Sequence, residues 1–304
     1  MQIKTVEKNN LGQLEINAVK HFVRPFWLLP TSTAAGGAST NTMALAAVPA
    51  ATAVAPCNVG QEGPFEGHSL ICQSTRFTAV GDHEFTIRIE DRGYRRDLMN
   101  REVHANTILG TSGFPGVLPE YLFLDRTGSM LVSLQGLGFG VLNAVRFAMP
   151  GCRYYASSDD NKAIGGLIGD LQARKSASCP YYLTTDQQIT ALAAGATQSF
   201  QMSVGDDGYF DAYDIRAVWY DTTLGAGNMN AGTFDWNLKD AETRRQLMTG
   251  NLSNQLGIGN AMTPFKLPGS LLNRPTQRLE VEIVNTHANP LTIYFTIAGR
   301  KYFI

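Results

Sequence analysis

Two stretches, Phe85-Thr-Ile-Arg-Ile-Glu-Asp91 and Phe234-Asp-Trp-Asn-Leu-Lys-Asp240, decide how this chain is to be read. Each alternates large apolar side chains with polar ones at a period of two, the pattern of a strand with one buried face. They also match each other, and the match continues without a gap at a constant offset of 149 positions. Asp91, Arg95, Arg96, Leu98 and Met99 fall on Asp240, Arg244, Arg245, Leu247 and Met248; Gly110, Pro115, Leu118, Pro119 and Leu122 fall on Gly259, Pro264, Leu267, Pro268 and Leu271. With Phe85 on Phe234 that makes 11 identities over the 38 positions from Phe85 to Leu122, where ordinary residue usage gives about two by chance. One unit is written twice.

Working outward, at an offset of 145 Ala51, Thr52, Val59, Gly60, Gly63 and Phe65 fall on Ala196, Thr197, Val204, Gly205, Gly208 and Phe210. At an offset of 148 Phe147, Gly151, Arg153, Tyr154 and Tyr155 meet Phe295, Gly299, Lys301, Tyr302 and Phe303. The step from 145 to 149 implies four extra residues in the second copy, expected in the loop from Leu224 to Met229. Further alternating runs, Leu279, Val281 and Ile283, and Leu291, Ile293, Phe295 and Ile297, sit between Gly, Pro and Asn breakers, with no long helical period in the unit. The expected fold is all-β: two tandem antiparallel β-sandwich domains, jelly-roll-like and related by internal duplication. The expected layout is an N-terminal arm over 1–42, a first sandwich over 43–155, a connecting segment over 156–189 and a second sandwich over 190–304. The connection is expected to carry a short amphipathic helix through Ile164, Leu167, Ile168 and Leu171.

The arm contains Phe22-Val-Arg-Pro-Phe-Trp-Leu-Leu-Pro30, an apolar run too short to make a core of its own. Phe22, Phe26, Trp27, Leu28 and Leu29 are therefore the candidate subunit-contact residues, in an arm expected to leave its own domain and pack on a neighbouring copy.

Among 304 residues, 17 % are charged, 44 % are hydrophobic, and the net charge is −1. The apolar content excludes disorder, and a near-neutral chain has no bulk attraction to phosphate, so direct nucleic-acid binding is not expected. The N-terminus lacks the apolar run of a secretory signal, and Met43 to Cys57 is broken by Pro49 and Pro56, so no membrane span is expected and synthesis in a cytoplasm is. Cys57, Cys72, Cys152 and Cys179 lack Cys-x-x-Cys spacing and read as small core residues.

Residues that could carry chemistry are sparse. His21, His68, His83, His104 and His287 never stand three or four apart, the spacing that puts two imidazoles on one metal. Gly136-Leu-Gly-Phe-Gly140 lacks the third glycine of a dinucleotide fingerprint and reads as a hairpin. Asp206, Asp207, Asp211 and Asp214 are the best acidic cluster, but a solvated turn explains them better than calcium. No catalytic residue, cofactor or metal is expected. In the shared block after the strand, Asp91 and Asp240 are expected to cap a short turn, with Arg95 and Arg244 pairing to them and Leu98 and Met99 seating the turn. The Gly-Pro-Leu-Pro segments read as shaped loops or edge approaches, able to contact another subunit.

The succession of an alternating strand ending in Asp, Arg-x-Leu-Met, Pro-x-x-Leu-Pro-x-x-Leu, an alternating strand and a final Phe-x-x-x-Gly-[Arg or Cys]-x-Tyr resembles β modules of bacteriophage virion proteins. The two-module layout is similar to double jelly-roll capsid proteins, although their halves seldom keep visible sequence similarity. The resemblance, over about Met43 to Ile304, implies a non-enzymatic structural protein of the shell, collar or tail region. It would be assembled in the host cytoplasm, with copies of itself and other virion proteins as partners, in a homo-oligomer such as a trimer. The alternative from another class is a tandem carbohydrate- or receptor-binding module, for which exposed aromatic platforms would come from Trp27, Trp219 and Trp236. Trp236 stands where Ile87 stands in the first copy and reads as core. A glycosidase is a third reading and would need two carboxylates across a cleft.

Overall fold

The structure, a computed structural model, describes residues 23–33, 39–40, 42–45, 50–74, 84–137, 144–155, 177–224 and 229–304. Phe22 and the arm before it, His21, His83, Gly138, Gly140 and the helix expected through Ile164 to Leu171 lie outside the described residues.

The first half contributes β1 (Val23–Leu28), β2 (Ser32–Thr33), β3 (Ser39–Thr40), β4 (Thr42–Met43), β5 (Thr52–Asn58), β6 (Phe65–Ser74), β7 (Phe85–Asp91), β8 (Arg96–Asp97), β9 (Val103–His104), α1 (Ala105–Ile108), β10 (Gly116–Leu124), β11 (Ser129–Gly136) and β12 (Val145–Tyr154). The second contributes β13 (Ser178–Thr184), β14 (Ile189–Leu192), β15 (Thr197–Ser203), β16 (Gly208–Asp221), β17 (Phe234–Asp240), β18 (Leu252–Ser253), α2 (Asn254–Gly257), β19 (Phe265–Asn273), β20 (Arg278–Asn285) and β21 (Leu291–Phe303). Strand order is the same in both. One sheet runs β1-β12-β6-β10 and its counterpart β13-β21-β16-β19; the facing sheet runs β5-β11-β7 and its counterpart β15-β20-β17, with β9 and β18 each added to the latter strand. The named ladders are antiparallel, and each half is a jelly-roll-like sandwich.

Period-two alternation puts Phe85, Ile87 and Ile89 in the first core and Phe234, Trp236 and Leu238 in the second. The duplication extends to polar detail: Arg153 pairs with Glu62 at 2.8 Å, and Lys301 with Asp207 at 2.5 Å, at matching positions of the two copies. Asp91 and Asp240 cap their turns as expected, each Oδ1 accepting two backbone N–H groups, from Gly93 and Tyr94 and from Glu242 and Thr243. The expected pairing with Arg95 and Arg244 is not formed. Both arginines take left-handed backbone, φ 54° and 55°, and both are exposed, so the turn carries their side chains outward.

Two boundaries are corrected. The run Val23–Leu28 does not leave its domain: it is the edge strand β1, paired antiparallel with β12, so the first sandwich starts at Val23 and not at residue 43. The second starts at Ser178, with β13 on β21, and not at residue 190. The run was too short for a core of its own, but it completes the sheet of the adjacent sandwich by burying Leu28 and half-burying Phe26.

Candidate functional site

The two sandwiches are joined by a polar and apolar junction whose construction bears on everything outside it. Strand β13 pairs with β21 on one side; on the other it meets the segment after β8, in which Leu98 O accepts from Tyr182 N at 2.8 Å and Met99 bridges Tyr182. Asn100 exchanges two bonds with Thr184, Nδ2 to O at 2.8 Å and Oδ1 from N at 2.9 Å. Arg216, on β16, is wholly buried; it holds Asp214 through Nε at 2.6 Å and Nη2 at 3.0 Å. It also crosses the junction, donating to Thr107 O at 3.2 Å and Val117 O at 3.0 Å. Arg300 pairs with Glu120 at 2.9 Å, and the His104 ring packs against Tyr294 at a tilt of 50°, centroids 4.7 Å apart. Tyr182, Cys179 and Ala298 of the second sandwich complete the core of the first. Removal from water pushes the Tyr182 phenol up to about 12.

The faces used at this junction recur elsewhere in the chain, because the chain is duplicated. Strand registers place Trp27 opposite Pro150 and Tyr182 opposite Ala298, so at the offset of 148 Trp27 is the counterpart of Tyr182. Pro25-Phe26-Trp27-Leu28 thereby aligns with Pro180-Tyr181-Tyr182-Leu183, an extension of the repeat that sequence comparison missed because the offset changes to 155 in this strand. Tyr182 is 0 % exposed and Trp27 56 %. Leu29 is exposed where Thr184 is buried, and Ile71, half-buried, stands where Arg216 is buried. The donating face shows the same contrast: Leu98 is 1 % exposed and its counterpart Leu247 37 %, Thr107 is buried and Leu256 71 % exposed, Phe123 is buried and Leu272 59 % exposed.

Of the expected contact residues, Leu28 is core and Phe26 packs edge-on to Phe65 at 5.8 Å beneath the Arg153 guanidinium. Trp27 and Leu29 face outward. Trp236 is core against Phe295, as its position predicted. Trp219 donates to Gly232 O from inside the second sandwich.

Chemically the described residues offer little else. A cleft of about 320 Å³ lies between the sandwiches, lined by Arg101, Gln135, Gln188 and Tyr294 among others. Its polar groups are engaged with one another: Arg101 donates to the Thr185 and Asp186 carbonyls at 3.2 and 2.8 Å, and Gln188 to the Tyr294 hydroxyl at 2.7 Å. The acidic residues part company, Asp214 to Arg216 and Asp207 to Lys301. Among the described residues no group of three or more His, Cys, Asp or Glu is placed to hold a metal ion. The cysteines are free thiols; burial pushes Cys57 and Cys179 up to about 12 and also raises Cys72, so they stay protonated at neutral pH. His68 lies 3.3 Å from Glu66, and His287 the same distance from Asp221. His104 caps α1 by accepting from Asn106 N.

No protein-family model matches the chain, and no curated protein matches it. Among solved structures it is similar to the VP2 subviral particle of infectious bursal disease virus, at 12 % identity over 92 % of this chain and 71 % of that one, TM-score 0.23. It is also similar to tandem CBM51 modules of a family 98 glycoside hydrolase from Streptococcus pneumoniae, 10 % identical over 88 % of each chain, TM-score 0.20. A third is a β-porphyranase from Bacteroides plebeius, 7 % identical, TM-score 0.23; 83 % of this chain is matched, and it spans about a third of that enzyme's length, 35 %. Viral capsid proteins and tandem carbohydrate-binding modules thus both stand among the structural neighbours, and at these TM-scores neither kind bears on activity.

Proposed function

We propose that the protein is a non-enzymatic structural subunit of a bacteriophage virion, in the shell or attached to it, acting through contacts with copies of itself and other virion proteins. The observation that carries the reading is the unequal burial of matching positions in the two sandwiches: Leu98, Thr107 and Phe123 are buried, with Leu98 O and Thr107 O bonded to the second sandwich, whereas Leu247, Leu256 and Leu272 are open. Exposed apolar side chains at positions that are buried in the other copy mark a candidate interaction surface, since covering each large one contributes roughly 1.5–3 kcal/mol. The virion setting is supported by the resemblance of the repeated motifs to phage β modules, with assembly in the host cytoplasm. Sedimentation velocity across the micromolar range, followed by electron microscopy of any assemblies, tests it: concentration-dependent self-association is expected. A chain that stays monomeric throughout and instead binds a saccharide on a glycan array would overturn it in favour of a carbohydrate-binding module.

A further inference from the structure

The junction inside the chain shows which surface covers the face that the second sandwich leaves open. The first sandwich covers the corresponding face by laying the segment Leu98–Asn100 along the outer edge of β13, with Thr107 and the β10 edge against β16 and β21. The duplicated partner of β13 is β1, which ends its sheet and pairs only with β12 among the described residues. Both halves of a second such junction are therefore present on each chain, one at either end, and neither is used by the other described residues. We propose that the second sandwich of one chain docks through Leu247, Leu256 and Leu272 onto the β1 edge of another chain, with Trp27 and Leu29 as anchors, in a head-to-tail contact that repeats the junction between the sandwiches.

The chemistry of the two open faces fits this occupant. Three polar anchors of the internal junction have uncharged counterparts on the receiving side: Ile71 stands for Arg216, Cys152 for Arg300 and Leu29 for Thr184, while Arg146, exposed, stands for Tyr294. The donating side likewise has Leu256 where Thr107 stands, Gly250 where Arg101 stands and Gly269 where Glu120 stands. Arg146 aside, at these positions apolar meets apolar, and the buried Arg216 and half-buried Arg300 charges of the internal junction have no counterpart to be paired. An exposed strand edge with a large apolar side chain also gives the segment around Met248 a ladder to join, as Met99 joins Tyr182. The two surfaces differ, so the contact is heterologous: each copy has one face of each kind to offer.

The inference rests on the self-assembly reading, and the experiment separates their failures. Trp27→Arg blocks the receiving face only, and Leu256→Arg the donating face only; both side chains are exposed, so unchanged circular dichroism and thermal midpoint show that each variant folds. Wild type should self-associate, and each variant alone should be monomeric. An equimolar mixture should give a 1:1 complex of twice the 33.1 kDa chain mass and nothing larger, because one intact face of each kind remains. Either variant assembling alone like wild type, or a mixture that stays monomeric while wild type assembles, overturns the head-to-tail contact and leaves self-assembly standing. Wild type that never associates overturns both. Association that appears only after deletion of residues 1–22 would assign the open strip to the chain's own arm and overturn the proposal.

Discussion

Arg216 shows how one side chain differentiates two copies of a single fold. Its counterpart Ile71 needs no partner, whereas a fully buried guanidinium needs its donors filled, and Asp214, Thr107 O and Val117 O take them. Arg216→Ala would strand the Asp214 carboxylate in the junction, with only the exposed Lys266 at 3.3 Å to offset it. A loss of roughly 3–5 kcal/mol in urea unfolding is expected. An unchanged unfolding midpoint would show the pair to be dispensable. Asp221 supplies a residue-scale test by pH. Bonds from the Thr223 hydroxyl first, and then from Asn289, the Thr223 amide and His287, hold its carboxyl well below the usual carboxylate range. A group depressed in the folded state stabilises it above the unfolded value, near pH 4, and loses that contribution as pH falls through the folded value. Thermal midpoints measured from pH 7 down to pH 3 should therefore fall more steeply for wild type than for Asp221→Asn, with the variant less stable at pH 7. Parallel curves would remove Asp221 as the cause.

At the scale of elements, the glycines that open the Pro-containing segments are the sharpest test of the duplication. A Cβ on Gly110 would run into Phe114 O and Gly116 N, and one on Gly259 into Thr263 O and Phe265 N, because each loop folds its own backbone back onto the glycine that opens it. Gly110→Ala and Gly259→Ala should each cost about 1–3 kcal/mol by overpacking, read as a lower thermal midpoint. A cost in one copy alone would mean that the two loops are not equivalent. These segments were legible in the sequence because Gly and Pro hold backbone geometry by themselves, as were β7 and β17 from their alternation. Strands β1 and β13 were not. Their offset differs from that of the rest of the repeat, and their likeness lies in size and aromaticity, Phe26 and Trp27 against Tyr181 and Tyr182, more than in identity. The Asp–Arg pairing failed for a related reason: a spacing of four implies contact on a helix, and this backbone turns left-handed at the arginine. The open face was hidden as well. Leu98 and Leu247 are the same residue in the same motif, yet one is core, beside Tyr182 of the second sandwich, and the other surface.

For the whole molecule, the junction decides whether the chain behaves as one body or as two beads on a string. Inter-domain contacts are commonly loose, but here the first core closes over Tyr182 and Cys179 of the second sandwich. Arg216, Asn100 and Arg101 add hydrogen bonds to backbone across the gap, and Arg300 adds an ion pair. Such a junction does not depend on the covalent connection. A specific protease site placed within residues 156–176 and cleaved in the folded protein should leave the two halves co-eluting in native gel filtration at the mass of the intact chain. They should separate only in denaturant. The same cleavage in Arg216→Ala should release the halves more readily, because a buried carboxylate then opposes the closed junction. Halves that part on cleavage of the wild type would show that the connection, and not the packed face, holds the sandwiches together. The face left open on the second sandwich would then be too weak a template for contact between copies.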